Sequence, residues 1–133
     1  MNTPAAHLSW VQTIVAQSPV VVWHRVIRET VEERFAIYRY RLNLIDHSLL
    51  EASERIALRG AEAVVTKYSF HWQDRNGQII ARWDTAPHHL SLPTFPHHIH
   101  DGTEENIQSH APVSVADVLA EIARRLKDKR RSG

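Results

Sequence analysis

The chain has 133 residues, 43% hydrophobic and 23% charged, with a formal net charge of +1. That length predicts one domain, residues 1–133, able to bury a core without staples or structural metals. Cysteine is absent, which excludes disulfides, thiolate catalysis, Fe–S clusters and cysteine-type zinc sites.

In chain order, Thr3 and Pro4 mark a helix start, and Leu8, Val11, Ile14 and Val15 recur at helical spacing until Ser18-Pro19 stops a helix over 4–17. From Val20 to Ile27 the β-branched and aromatic content predicts a strand. Residues 34–45 alternate with period two: Ala36, Tyr38, Tyr40, Leu42 and Leu44 fall on one face, Arg39, Arg41 and Asn43 on the other. After a turn at Asp46-His47-Ser48, residues 49–58 are read as the return strand, although 51–59 would also pass as a short helix.

The strongest alternation is Val64, Thr66, Tyr68, Phe70 and Trp72 against Lys67, Ser69, His71 and Gln73. Asp74-Arg75-Asn76-Gly77 carries turn chemistry, and Ile79, Ala81 and Trp83 continue the apolar face as a hairpin partner. The expected pairing sets Trp72 beside Ile79, Phe70 beside Ala81 and Tyr68 beside Trp83, with Ser69 beside Arg82 and Lys67 beside Asp84 on the opposite face. Residues 85–112 hold four of the six prolines and six of the ten histidines without periodicity, and predict a His/Pro-rich loop or arm. Ser114 then caps a helix with the apolar stripe Val115, Val118, Leu119, Ile122 and Leu126.

The charge is uneven. Residues 1–123 carry ten Lys and Arg against fourteen Asp and Glu, whereas 124–133 carry six cations against Asp128. Residues 127–133 are expected to form a basic, disordered tail. Together the elements predict an α+β fold: an antiparallel sheet of about five strands, with an N-terminal and a C-terminal helix packed on one face. No run approaches the roughly 20 apolar residues of a membrane span, and no secretory leader pattern opens the chain, so the expected location is the cytoplasm with no membrane partner.

Two constellations carry chemistry. Five histidines occupy residues 88–100, in Ala86-Pro87-His88-His89 and Thr94-Phe95-Pro96-His97-His98-Ile99-His100. On an extended backbone His98 and His100 point to one side while adjacent pairs diverge, so a divalent metal with ligands from His88, His89, His97, His98, His100 and Asp84 is one reading. Proton transfer by the imidazoles is another, and packing of a loop against the sheet a third. The second constellation is the polar sheet face of Arg39, Arg41, Lys67, Ser69, His71, Arg82 and Asp84. Such a face suits phosphodiester cleavage without metal: a base takes the ribose 2′-hydroxyl proton, an acid protonates the leaving oxygen, and cations hold the phosphate. No phosphate-binding glycine loop, G-x-S-x-G elbow or H-E-x-x-H pair is present.

Three stretches, Tyr68-Ser69-Phe70-His71-Trp72-Gln73-Asp74, Arg82-Trp83-Asp84-Thr85-Ala86-Pro87-His88-His89 and Phe95-Pro96-His97-His98-Ile99-His100, together resemble the TumE family of small prokaryotic toxins. That family carries a tyrosine-rich hairpin, an R-x-D-N-A-P-H-H stretch and a closing F-P-H-H-x-H segment. The strong part runs from Leu42 to His100. Thr85 stands where the family tends to have Asn, and His47 where it tends to have a turn Gly. The resemblance implies a toxin of a type II toxin–antitoxin pair, with a helix-turn-helix DNA-binding antitoxin as partner. Combined with the polar face it suggests a metal-independent endoribonuclease, with His71, His89 or His98 as base and acid. Arg82 and Arg41 would hold the phosphate, Asp84 would orient a histidine, and Arg39, Arg41, Lys67 and Ser69 would contact RNA. The alternatives are a non-catalytic antitoxin-binding protein and a metal-dependent nuclease or hydrolase using the histidine cluster. Homo-oligomers are compatible with an exposed sheet edge.

Overall fold

The computed structural model describes residues 1–87 and 89–132. Helix α1 spans Pro4–Gln17, with the Thr3 hydroxyl accepting from the Ala6 N–H at 3.0 Å and Pro4 in the first turn. Strands β1 (Val21–Val31), β2 (Phe35–Leu44), β3 (Leu49–Arg59), β4 (Glu62–Gln73), β5 (Ile79–Asp84), β6 (His98–Asp101) and β7 (Ile107–Ser109) follow, then helix α2 (Val115–Ser132). The strands lie in chain order in one antiparallel sheet, as connections too short for a parallel crossover require.

The α+β reading stands, with seven strands instead of five. The added two come from residues 85–112, expected as a loop. There β6 has only Ile99 as an apolar inward residue between His98 and His100, and β7 has three residues, so neither is long enough to show an alternation. Docking onto the edge of β5, not local composition, makes them strands.

One face of the sheet packs under both helices. Tyr38, Tyr40 and Leu42 of β2, Leu50 and Ile56 of β3, Phe70 and Trp72 of β4 and Trp83 of β5 are buried with Leu8, Val11 and Val15 of α1 and the predicted stripe of α2. Polar groups within this core find partners. The Trp72 Nε1–H donates to Ser48 Oγ at 2.9 Å. The Glu54 carboxylate, 3% exposed, accepts from the Tyr38 hydroxyl at 2.6 Å and lies 3.4 Å from His7 Nε2. Burial, and then the Glu54 charge, raises the Tyr38 phenol well above its ordinary pKa, so it remains a donor.

Two irregularities change the expected register. A bulge opposite Arg55 and Ile56 leaves Thr66 exposed and Val64 only half-buried, where unbroken alternation puts both in the core. At the β4–β5 hairpin, Asp74 Oδ1 accepts from the Asn76 and Gln78 N–H groups, Gly77 takes φ +83°, and the pairing shifts between Trp72 and Gln73. The true pairs are therefore Trp72 with Ala81, Phe70 with Trp83, His71 with Arg82 and Ser69 with Asp84. Lys67 is not beside Asp84; it pairs with Arg55. At the β2–β3 turn His47 adopts φ +70°, the left-handed conformation for which glycine is the usual residue.

The C-terminal helix continues through Lys127–Arg131, the segment expected as a disordered tail. Ion pairs along it run from Arg124 to Glu121 and Asp128, and from Arg125 to Glu121 and, across to β6, Asp101. Hydrogen bonding from Arg124, outweighing the opposing effect of burial, lowers the Glu121 pKa from 4.5 to about 2. A depressed carboxylate stabilises the fold above its unfolded pKa, and that contribution disappears as pH falls from about 4.5 to about 2. Glu121→Gln is expected to flatten this part of the acid-denaturation curve while costing under about 1 kcal/mol at neutral pH, because the pair is solvent-screened. Chemical denaturation at pH 3 and pH 7 checks it. Among the described residues no helix is long and apolar enough to cross a membrane.

Candidate active site on the polar sheet face

Alternation sends the residues between the core positions to the other face, where the observed register lines them up in two rows. One row crosses Arg41, Glu51, His71, Arg82 and His100; the next crosses Arg39, Ser53, Ser69, Asp84 and His98. The sheet thus gathers residues nearly 60 positions apart in sequence, and the β5–β6 end of the rows is the chemically dense part.

Asp84 is the centre of that end. Its carboxylate is 6% exposed, lies 2.7 Å from His98 Nε2, accepts from Arg82 Nε at 2.9 Å and from the Ala86 N–H at 3.0 Å, and has His100 Nε2 at 3.9 Å. The outer ring nitrogens are also held. His98 Nδ1 donates to the Pro96 carbonyl at 2.9 Å and His100 Nδ1 to the Glu104 carbonyl at 2.7 Å, so both rings direct Nε2 into the cluster. Arginine has no acceptor, so the 3.2 Å contact between Arg82 Nη2 and His100 Nε2 requires a lone pair on that nitrogen. His100 is therefore the neutral Nδ1–H tautomer. The His98–Asp84 contact has the opposite requirement: a proton must lie between Nε2 and the carboxylate.

His89 completes the group from the 85–97 loop, with its ring centroid 4.9 Å from that of His98 and 5.9 Å from that of His100. One ring nitrogen from each of these three histidines lies within 4.8 Å of the others. Glu104, which carries no motif signal, joins through Arg82 at 2.9 Å. Its position is set by the β6–β7 turn, absent from the sequence reading.

The remaining expected residues separate into other settings. His97 points away from the cluster: its Nδ1 accepts from the Tyr68 hydroxyl at 2.9 Å, and burial followed by the nearby His98 charge lowers its pKa. Burial raises the Tyr68 phenol, which keeps the proton it donates. His88 lies outside the described residues. Arg39 and Arg41 both engage Glu51, at 3.0 Å and 3.6 Å, so they are paired cations and not free ones. Two buried donors on this face, Arg41 Nε and Asn43 Nδ2, have no hydrogen-bond partner among the described residues. Thr85 replaces the expected amide with a hydroxyl that accepts from the Tyr68 N–H at 3.2 Å, anchoring the end of β5.

A trough leads to the cluster. Its nearer part, about 210 Å³, is lined by Arg39, Glu51, Ser53, Ser69, His71 and Arg82. Through Arg39 and Ser53 it meets a second hollow of about 390 Å³ whose cations are Arg28, Arg39, Arg55 and Lys67. Arg28 and Arg55 were not singled out from sequence; in the observed β3, Arg55 falls on the same face as Glu51 and Ser53 because strand side chains repeat every two residues. Tyr38 and Tyr40 are buried in the core and offer no ring to a base, whereas Phe95 is 40% exposed on the loop.

The fold and the site define an α+β protein whose polar sheet face carries a histidine–aspartate–arginine cluster at the end of a cationic trough. The family model for toxin TumE matches residues 11–130, and the chain belongs to that family. Searches of curated proteins and of solved structures gave no match. Membership assigns the chain to a family of toxins and implies an antitoxin as a partner.

Proposed function

We propose that this protein is the toxin of a type II toxin–antitoxin pair and cleaves RNA by metal-independent acid–base catalysis at Asp84, His98, His100 and Arg82. The observation carrying this reading is the Asp84 cluster, which holds one imidazole with an available lone pair beside a second that shares a proton with a carboxylate. A neutral base and a protonated acid, side by side, are what transfer to a 2′-hydroxyl requires. His100 Nε2 takes the 2′-hydroxyl proton as the 2′-oxygen bonds to phosphorus. The 5′-oxygen leaves with the proton from the His98–Asp84 pair, and Arg82 offsets charge on the phosphoryl oxygens. The product ends are a 2′,3′-cyclic phosphate and a 5′-hydroxyl.

The trough supports a polyanionic substrate, because Arg28, Arg55 and Lys67 line its far end on one side of the sheet. His98 and His100 are 2% and 4% exposed, and the hollow lined by His71 and Arg82 is the side from which substrate reaches them. The test is incubation of the full chain, purified without a histidine tag, with total bacterial RNA in EDTA. Cleavage leaving cyclic phosphate ends is expected. Intact RNA from a preparation that arrests growth when expressed would overturn the ribonuclease assignment and leave the antitoxin-binding toxin without this chemistry.

A further inference from the structure

We infer that His89, His98 and His100 form a binding site for a zinc-class divalent ion, with Asp84 as the adjoining carboxylate, and that the bound ion switches off the acid–base chemistry. The geometry is that of a ligand set in two respects. Three ring nitrogens already lie within 4.8 Å of one another, whereas zinc bonds of about 2.0–2.1 Å at tetrahedral angles need them about 3.3 Å apart. The difference is at most about 1.5 Å, and His89 lies outside the helices and strands, in the loop that precedes β6. Two of the rings also have the outer partner that metal-bound imidazoles use: Nδ1–H donates to a backbone carbonyl, at Pro96 for His98 and at Glu104 for His100, which fixes Nε2 as the inward ligand.

Charge favours the same conclusion. Apart from the proton that His98 and Asp84 share, Asp84 and Glu104 contribute two negative charges around the cluster against the single positive charge of Arg82. A divalent ion replaces the proton now needed between His98 and Asp84. It displaces only the Arg82 contact to His100, because Arg82 retains Asp84 and Glu104. Each imidazole nitrogen has one lone pair, so the nitrogen that binds a metal cannot transfer a proton. Occupancy and cleavage are thus mutually exclusive, and the inhibitory half of the inference rests on the acid–base reading above; the binding half does not.

The test is equilibrium dialysis of the untagged full chain against zinc chloride, read by elemental analysis, for the parent, His89→Ala and His97→Ala. One zinc per chain is expected in the parent and in His97→Ala, whose ring faces Tyr68, with loss of at least about 10-fold in affinity in His89→Ala. His89 is half-buried on a loop, so its removal spares the core, and thermal melting verifies that. No stoichiometric zinc in the parent, or equal binding by His89→Ala, overturns the site. In the RNA assay zinc is expected to slow cleavage at least about 10-fold, reversed by EDTA; faster cleavage with zinc overturns the inhibitory half. If RNA stays intact under every condition the ribonuclease reading fails, and dialysis alone still decides the metal site.

Discussion

Asp84→Asn is expected to abolish growth arrest and lower RNA cleavage by at least about 100-fold while leaving a folded protein. The substitution keeps the shape of the side chain and one of its two acceptor oxygens, so either the Arg82 Nε contact made to Oδ2 or the Ala86 N–H contact made to Oδ1 is retained. What changes is the proton beside His98. Because Nδ1 of that ring is committed to the Pro96 carbonyl, a proton on Nε2 makes the ring a cation, and a neutral amide does not hold that cation as the carboxylate does, so Nε2 loses the proton it delivers. Asp84→Ala is a poorer experiment. It strands Arg82 and His98 without their buried partner, and breaking a buried pair in this way costs about 3–5 kcal/mol. Parallel induction of parent and Asp84→Asn, with soluble yield and melting temperature measured on the same samples, decides the matter. Undiminished arrest by Asp84→Asn would remove the carboxylate from the chemistry.

The parts of this site that could be read from sequence are those governed by alternation. His98 and His100 share a side because strand side chains repeat every two residues, and Arg82 and Asp84 share a side for the same reason. Which residue of one pair faces which of the other is decided by the register of β6 on β5, and what Arg82 and Asp84 face on β4 by the Asp74 turn and its irregularity at Gln73, neither of which any period discloses. The inward direction of Tyr38, Tyr40, Phe70 and Trp72 was likewise legible. Val64 and Thr66 were not, because one extra residue in a strand reverses every assignment beyond it.

The His/Pro-rich segment was the least legible. Its histidines look alike in sequence, yet His97 accepts from Tyr68 on one side of the chain while His98 and His100 serve Asp84 on the other. Only pairing of β6 with β5 separates them. The buried His7, Tyr38 and Glu54 group was also invisible, since a helix residue and two strand residues become partners only when the helix docks. Its existence means that not every titratable contact in this protein belongs to the site.

Trp83→Ala is expected to cost about 3–5 kcal/mol, a large share of the roughly 5–15 kcal/mol that stabilises a domain. Trp83 is 2% exposed, pairs across the sheet with Phe70 on one side and Ile99 on the other, and is among the largest side chains in the core. In a chain of this length the loss lowers the melting temperature by on the order of 10–20 °C. Calorimetry of the variant measures it; a midpoint within about 3 °C of the parent would contradict the packing described for β5. Trp83 and Asp84 are consecutive residues facing opposite sides of the sheet, so their variants fail for different reasons. Trp83→Ala reduces arrest by depleting folded protein, and its activity recovers when cells are grown cold. Asp84→Asn remains folded and inactive at both temperatures. Recovery of arrest by Asp84→Asn on cooling would show that residue 84, like residue 83, serves the fold instead of the reaction.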